Sequence, residues 1–425
     1  MKIDAASVPG SGPRPGARET IALLAGLMAL NAFAIDAMIP ALPAIGRALE
    51  VADENRRQLI VVAYTFGFGF GVLLWGPLAD RFGRKPILAI GIAAYTVLAV
   101  LCAWAPSFEM LIAARALQGA CAAVTRVLVV AMVRDLFEGE AMARVMSLVF
   151  MVFMLVPVLA PSIGQLILLA GPWRLIFLVL AGYGALMLAW SWLRLPETLH
   201  PEYRRPLEVQ PMVEASRMVM TERQSIGYTL AQTAIFAGLV AYIASIQQIV
   251  FDAFRQPGAI GLVFAAVAAP MALASWINSR LVGRYGLRRV GHLGVVAFVA
   301  LTFGHALVAD LFSETLVEFA IIQGLVMASF AFTSSNLNTL ALEKMAPIAG
   351  IASSIQGFIG SIGAAIIGFA IGQSFDGTQI PFLWGLALAG FAGAALVVLT
   401  EPRRLFERRE SPQREAEAES LAAAE

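Results

Sequence analysis

Charged residues are scarce in this chain of 425 residues. Asp, Glu, Lys and Arg together make up 14% of it, whereas hydrophobic residues make up 59%. Soluble globular domains carry about 25% charged residues. The composition therefore excludes an ordinary soluble protein and indicates an all-α protein that crosses a membrane many times.

Cysteine and histidine are also rare, which excludes two further kinds of site. The chain has two cysteines, Cys102 and Cys121, and three histidines. Both cysteines lie in apolar helical runs, where we expect small buried hydrophobic residues rather than a disulfide. Because the sequence has no cluster of Cys and His, it predicts no metal site.

Features that bind nucleotides or nucleic acids are lacking as well. The net charge of +1 leaves no basic excess to neutralise a phosphate backbone. No Gly-x-x-x-x-Gly-Lys-Ser/Thr loop occurs in the sequence. We therefore expect no ATP, no cofactor, no nucleic-acid partner and no enzymatic activity. An ion gradient, or the gradient of a substrate itself, would have to supply the energy for any work.

Long apolar runs dominate what is present. A helix that crosses a bilayer needs about 20 apolar residues, and twelve segments meet this requirement. They are 20–46, 58–79, 87–105, 108–133, 145–169, 173–194, 225–251, 258–283, 289–309, 315–340, 350–373 and 380–400.

The longest polar stretch between these runs, 195–224, divides the chain into two halves of six helices. Residues 1–19 lack the compact apolar core and cleavage site of a signal peptide, so we expect helix 1 to be retained. Lys and Arg are concentrated in loops on one side, which favours cytoplasmic termini. The predicted domains are a disordered cytoplasmic tail 1–19, a six-helix bundle 20–194, a cytoplasmic linker 195–224, a second bundle 225–400 and a cytoplasmic tail 401–425.

The turn between the second and third runs is short and basic, and it is repeated in the second half. Gly83 is expected to adopt the turn conformation that other residues resist. Superimposing the halves places Arg81, Gly83 and Lys85 on Arg284, Gly286 and Arg288, whereas Asp80 falls on a glycine. Two parallel six-helix repeats predict a transporter with its site between the halves.

Charges inside the predicted helices are few and therefore informative. Asp36 lies in helix 1, where an unpaired carboxylate must face a cavity or a partner. A carboxyl group that changes protonation there is what proton coupling requires. A structural hydrogen bond near a bend at Pro40 and Pro43 is the alternative.

Helix 4 carries the intramembrane cations. Arg115, Gln118, Ala122 and Arg126 are predicted to share one helix face, because eleven residues return to nearly the same direction. Such a stripe is not expected to face lipid. We expect Arg115 to couple with Asp36, and Gln118 and Arg126 to face a substrate cavity. The alternative for Arg115 is a role in helix packing.

Further residues are candidates for a conformational gate or for the cavity. Asp80 is predicted to form an ion-pair latch with Arg134 where helix 4 ends; helix-end stabilisation is the alternative. The remaining gate candidates are Gly76, Arg81, Gly83, Arg84, Lys85, Asp135, Ala160, Pro161 and Gly164, and the other cavity candidates are Tyr64, Tyr242 and Gln247.

Several of these runs resemble those of a known family. The pattern Gly-x-x-x-Asp-Arg-x-Gly-Arg-Lys at 76–85 resembles the signature loop of major facilitator superfamily transporters. The run around Arg115 resembles a helix-4 motif whose arginine is linked to proton transfer in antiporters. The run 157–165 resembles the helix-5 motif of the antiporter branch, with Ala160 and Gln165 departing from its glycines.

A narrower resemblance is to Bcr/CflA-type drug–proton antiporters. It is carried by the runs 34–43, 132–136, 143–147, 173–177, 196–199 and 349–353. It implies a monomeric bacterial inner-membrane exporter of small lipophilic drugs or toxic metabolites, driven by inward proton flow. Two alternatives stay open. One is an uptake symporter or uniporter on the same fold, and the other is a membrane receptor that binds a ligand without moving it.

Overall fold

The computed structural model describes residues 16–204, 209–402 and 405–406, and it is helical with no strand in this part of the chain. Most of the two predicted tails and the middle of the linker lie outside these residues. The α-helices are α1 (Ala17–Asp36), α2 (Leu42–Ala48), α3 (Leu59–Phe82), α4 (Arg84–Ala103), α5 (Phe108–Leu136), α6 (Gly139–Ala170), α7 (Arg174–Arg194), α8 (Val209–Thr221), α9 (Arg223–Gln248), α10 (Ile260–Tyr285), α11 (Leu287–Leu311), α12 (Leu316–Leu342), α13 (Ala349–Gln373) and α14 (Ile380–Thr400).

Each of the twelve predicted spans coincides with a helical segment of this structure. Eleven segments are long and apolar enough to cross a membrane by length and composition. The twelfth is α6, a helix of 32 residues with its apolar part at Leu155–Ala170. The predicted all-α fold with twelve transmembrane helices is therefore confirmed.

The first span differs from a single helix. It consists of α1, a 3₁₀ turn at Ile39–Ala41 and the short α2. Pro40 and Pro43 lack the N–H that a continuous helix needs, so the helical ladder is interrupted between them and α1. As a result Asp36 is the last residue of α1, at a break in the backbone.

The linker also contains structure that its polarity did not indicate. Helix α8 occupies its second part, and Val219 of α8 is fully buried in a cluster with Met345 and Ala352. Glu222 then begins α9, because its carboxylate accepts hydrogen bonds from the backbone N–H groups of Gln224 and Ser225. The linker is thus partly attached to the second half.

Each half has its own apolar core. Helices α1 to α7 enclose one buried cluster, and α9 to α14 enclose another. The halves meet mainly where α3 packs against α13 and where α6 packs against α10. Ile39 is the exception in the first half, since its fully buried side chain belongs to the core of the second half.

The two basic turns are equivalent, as the repeat predicts. Gly83 has a φ of 103° and Gly286 a φ of 85°, values that a residue with a β-carbon resists. Both turns lie at one end of the molecule, which we call the basic end. The opposite end, where α3 begins and α13 terminates, is called the far end.

Candidate functional site

Asp36 is the buried acid of the first half. Asp36 is 3% exposed, and its Oδ1 atom has no hydrogen-bond partner among the residues that the structure describes. A carboxylate held in this way is costly when ionised, because nothing replaces the water it has lost. Since Ile39 packs into the second core, Asp36 lies close to the contact between the halves.

The fifth predicted span is α6 of the structure, and its motif at 157–165 lies directly against this part of α1. A β-carbon on Gly164 would overlap the carbonyl oxygen of Ala37, so only glycine lets α6 approach this closely. Ala160, one turn earlier on α6, is fully buried, and Pro161 is buried beside it. The motif therefore sets the distance between α6 and the residue after Asp36.

Arg115 is fully buried and connects three helices. Its guanidinium donates to the carbonyl oxygens of Ala34 on α1 and Ile60 on α3, each at 3.2 Å, and to Gln118 Oε1 at 2.8 Å. It also lies over the ring of Tyr64, 4.3 Å from the centroid. These contacts replace hydration with neutral acceptors and an aromatic face.

Tyr64 and Gln118 belong to this buried cluster, and neither lines an open cavity as expected. Tyr64 is fully buried and donates from its hydroxyl to Asn31 Oδ1 at 2.9 Å. Gln118 is fully buried beside Arg115. Both side chains serve the packing of α1, α3 and α5 in this conformation, because the helices are already in contact around them.

The fourth predicted span is α5 of the structure, and the predicted stripe along one face of it is not buried uniformly. Arg115, Gln118 and Ala122 are fully buried, whereas Arg126 is exposed. Arg126 lies about three turns further along α5, closer to the basic end. The two arginines therefore occupy different environments and do not form one site here.

Tyr242 and Gln247, the cavity candidates of the second half, are also buried. Tyr242 is 2% exposed and packs against Phe264, with ring centroids 5.7 Å apart. Its hydroxyl and both polar atoms of Gln247 are buried without a hydrogen-bond partner among the described residues. They are the kind of groups that water or a substrate can satisfy when the halves separate.

At the basic end, the predicted pair between Asp80 and Arg134 is replaced by a different one. Arg84 pairs with Asp80 at 2.8 Å and with Asp135 at 3.3 Å, whereas Arg134 is exposed. Arg84 follows Gly83 at the start of α4 and is only four residues from Asp80 along the chain. Proximity along the chain therefore favours Arg84 over Arg134.

The other gate candidates are placed around this pair. Glu197 accepts hydrogen bonds from the backbone N–H groups of Arg84 and Lys85, at 2.9 and 3.3 Å, and so neutralises the N-terminus of α4. The guanidinium of Arg81 lies 5.2 Å from the centroid of the Phe82 ring, and a β-carbon on Gly76 would contact Ser354 of α13 at 3.8 Å. Gly76 thus lies at the boundary between the halves.

The second half has an equivalent ionic cluster that sequence reasoning missed. Arg288 pairs with Glu343 at 2.7 Å and with Glu401 at 2.9 Å. Burial alone would raise the pKa of Glu401, but hydrogen bonds from Arg288 and Tyr228 outweigh it and hold that pKa below its usual value. The signal that could have found the cluster is the repeat, since Arg288 is equivalent to Lys85, and Glu343 and Glu401 follow α12 and α14 much as Asp135 and Glu197 lie at the ends of α5 and α7.

A second missed group closes the far end. We call Asn55, Gln58, Gln248 and Gln373 the amide cluster. Hydrogen bonds among these residues join the first half to the second, and Gln58 and Gln248 are each 1% exposed. Where α6 meets the second half near the same end, Gln165 donates to the carbonyl oxygen of Pro257 at 3.0 Å. No sequence motif marks these neutral side chains.

Comparison with known proteins agrees with this geometry. The family model of the Major Facilitator Superfamily matches residues 24–368. The chain belongs to the Major Facilitator Superfamily. It is a multi-pass membrane protein of a transporter family, and the resemblance of its basic turn to the signature loop of that superfamily is confirmed.

Individual relatives within this superfamily include proteins named for drug resistance. The chain is 29% identical to a bicyclomycin resistance protein homolog of Haemophilus influenzae, over 88% of this chain and 92% of that protein. It is 27% identical to multidrug resistance protein MdtL of Klebsiella pneumoniae, over 89% of this chain and 94% of that protein. A crystal structure of a D-xylose–proton symporter superposes with a TM-score of 0.71 at 15% identity, over 92% and 99% of the two chains, which shows a shared fold.

Proposed function

We propose that this transporter exports small, largely lipophilic drugs or toxic metabolites across the bacterial inner membrane in exchange for protons. The relatives named above support the class of substrate, because their names associate them with drug resistance. In this proposal the protein acts as a monomer without ATP. Its basic end faces the cytoplasm, and the two halves rock to expose the pathway to each side in turn.

The observation that carries the proposal is the buried carboxyl group of Asp36 with its unpaired Oδ1. An ionised carboxylate is unfavourable in such a place, so the closed form is expected to hold the neutral acid. When the halves separate at the far end, the same group would meet water and could exchange its proton. A proton is thus bound or released according to which side is open.

Arg115 is expected to support this step without acting as the direct partner of Asp36. Its hydrogen bond to Ala34 fixes the last turn of α1, two residues before the acid. Because the cation is satisfied by neutral acceptors, Asp36 is left free to change its charge. Substrate and proton would then compete, since the pathway would close with one or the other bound and without an uncompensated buried charge.

The deciding experiment compares an efflux-deficient bacterial host with and without this protein, against a panel of lipophilic antibiotics and dyes. We expect higher minimal inhibitory concentrations and, in inside-out membrane vesicles, substrate accumulation that collapses when an uncoupler dissipates the proton gradient. A vesicle assay in which accumulation ignores the uncoupler would contradict proton exchange. Accumulation in intact cells rather than export would favour the uptake alternative.

A further inference from the structure

We propose that the amide cluster is the gate that closes the far end of the transport pathway, and that this gate works without ionised groups. The inference builds on the proposed function, since a gate requires that the two halves move apart. The amides come from the 3₁₀ turn Glu54–Gln58, just before α3 in the first half, and from the ends of α9 and α13 in the second. They are thus placed where two rocking halves separate first.

The hydrogen bonds of the cluster run in both directions across the boundary. Asn55 Nδ2 donates to the carbonyl oxygen of Phe375 at 3.0 Å, and Gln373 Nε2 donates back to the carbonyl oxygen of Asn55 at 2.9 Å. Gln248 Nε2 donates to Asn55 Oδ1 at 2.7 Å. Since each bond links one half to the other, separation of the halves breaks all of them together.

Gln58 is the central member of the cluster. Its Nε2 donates to Gln248 Oε1 and to the carbonyl oxygen of Gly372, the latter at 2.9 Å. A β-carbon on Gly372 would overlap Gln58 Oε1. The absence of a side chain at this position on α13 therefore allows the amide to reach the backbone of the opposite half.

An apolar seal lies directly beneath the amides. Val62 is one helical turn below Gln58, and Ala244 is one turn below Gln248. These two side chains form a buried cluster with Ala365, and Phe369 packs against it. Amides above and closely packed apolar groups below are what a barrier to water and solutes requires.

Charged groups flank the cluster but are not part of its bonds. In the first half, Arg57 pairs with Glu54 at 2.8 Å and Asp53 accepts from the N–H of Asn55. Asp252 and Asp376 are the flanking acids of the second half, and Asp376 is engaged by Thr378. Because neutral amides carry the contact, opening breaks hydrogen bonds that water can replace. In the part of the chain that the structure describes, no salt bridge joins the two halves at this end, so opening separates no ion pair.

The consequence is a division of roles between gate and proton site. The gate sets how readily the far end opens, and Asp36 sets whether opening depends on protons. Weakening the amides should therefore shift the balance toward the form open at the far end without removing proton coupling. Introducing a charge should open the gate further, because Gln248 Oε1 and Gly372 O would then face a carboxylate.

The experiment measures access to the seal rather than transport. In the full chain with Cys102 and Cys121 replaced by alanine, Ala244→Cys provides one thiol beneath the gate. A membrane-impermeant maleimide is applied to right-side-out and inside-out vesicles without any drug. We expect slow labelling from the far-end side, several-fold faster labelling with Gln58→Ala, and still faster labelling with Gln58→Glu. Adding Gln248→Lys to Gln58→Glu should restore protection, because an ion pair then spans the gate.

Gln232→Ala is the matched control, since Gln232 lies on the same helix as Gln248 and bonds to Ser334 within its own half. It should leave labelling of the reporter thiol unchanged. Equal labelling rates in the parent, Gln58→Ala and Gln58→Glu would overturn the gate. So would a double variant that is no better protected than Gln58→Glu alone. If the labelling results are as expected but no compound is exported, the gate stands and the proposed efflux function fails.

Discussion

Arg115 donates a hydrogen bond to the carbonyl oxygen of Ala34 at 3.2 Å. Its other two hydrogen bonds go to Ile60 and Gln118, so the described contacts of the guanidinium do not include the carboxylate of Asp36. The buried cation therefore holds the end of α1 in place, while the buried acid two residues later keeps an oxygen free. In the proposed mechanism this separation leaves Arg115 with a structural role and Asp36 with the change of protonation.

Arg115→Ala is expected to destabilise the first half and to reduce transport with it. Hydrogen bonds to a charged group each contribute about 1.5–3 kcal/mol, and the substitution removes those to α1 and α3 and leaves a cavity beside Tyr64. We expect a lower midpoint of thermal unfolding in detergent, and a smaller decrease for Arg115→Lys, which keeps the charge but loses the forked geometry.

Arg126→Ala is the matched control for this prediction, because Arg126 is on the same helix and exposed. Its unfolding midpoint should stay close to that of the parent protein. Should Arg126→Ala and Arg115→Ala lower the midpoint equally, the structural role assigned to Arg115 would be wrong.

The architecture could be predicted from the sequence, because long apolar runs have few alternatives in a membrane. Twelve spans, the break near Pro40 and the glycine turns at 83 and 286 all follow from local chemistry. Side-chain partners could not be predicted in the same way. The sequence offers Asp80 more than one cation, and only the three-dimensional structure shows that its partner is Arg84.

Exchange of charges at the basic end should distinguish these two pairings. We expect Asp80→Arg combined with Arg84→Asp to recover part of the transport lost in each single variant, since the two side chains are 2.8 Å apart. The exchange of Asp80 with Arg134 should recover nothing in comparison. The measurement is the initial rate of substrate efflux in vesicles at equal protein levels. Recovery only in the Arg134 exchange would show that the latch predicted from the sequence forms in another conformation.

Glycines of α3 and α5 should be intolerant of any side chain. A β-carbon on Gly67 would overlap the carbonyl oxygen of Ala116, and one on Gly119 would overlap that of Tyr64. Overpacking typically costs about 1–3 kcal/mol, so Gly67→Ala and Gly119→Ala should both lower the unfolding midpoint. Gly182→Ala on α7 is the control, because nothing lies within 4 Å of its added carbon. Identical midpoints for all three variants would contradict the close approach of α3 and α5.

Polar groups were the hardest part of the site to predict from the sequence, because a neutral amide carries no pattern. Gln58 follows two arginines and Gln248 follows another glutamine, so neither stands out in the sequence, and their meeting depends on how the two halves dock. Glu318 is another acid near an apolar run, and it accepts hydrogen bonds from Thr315 in a capping box where α12 begins. Exposed at a helix start, it is unsuited to act as a buried proton carrier.

Asp36 should therefore be the acid on which proton coupling depends. Asp36→Asn keeps the shape of the side chain but cannot release a proton. The variant should therefore behave throughout the cycle as if the acid were always neutral. We expect it to exchange substrate down a gradient at a rate within a few-fold of the parent. It should fail to accumulate substrate against a gradient. Its exchange rate should no longer depend on the pH difference across the membrane.

The assay uses inside-out vesicles with an imposed pH gradient for uphill transport and preloaded vesicles for exchange. Asp310→Asn is the matched control, because Asp310 is an exposed acid near the far end of α11; it should pump normally. Uphill transport by Asp36→Asn with an unchanged pH profile would show that the coupling proton is carried by another group. Loss of both exchange and accumulation would show that Asp36 is needed to bind substrate or to move the halves, and not for coupling alone.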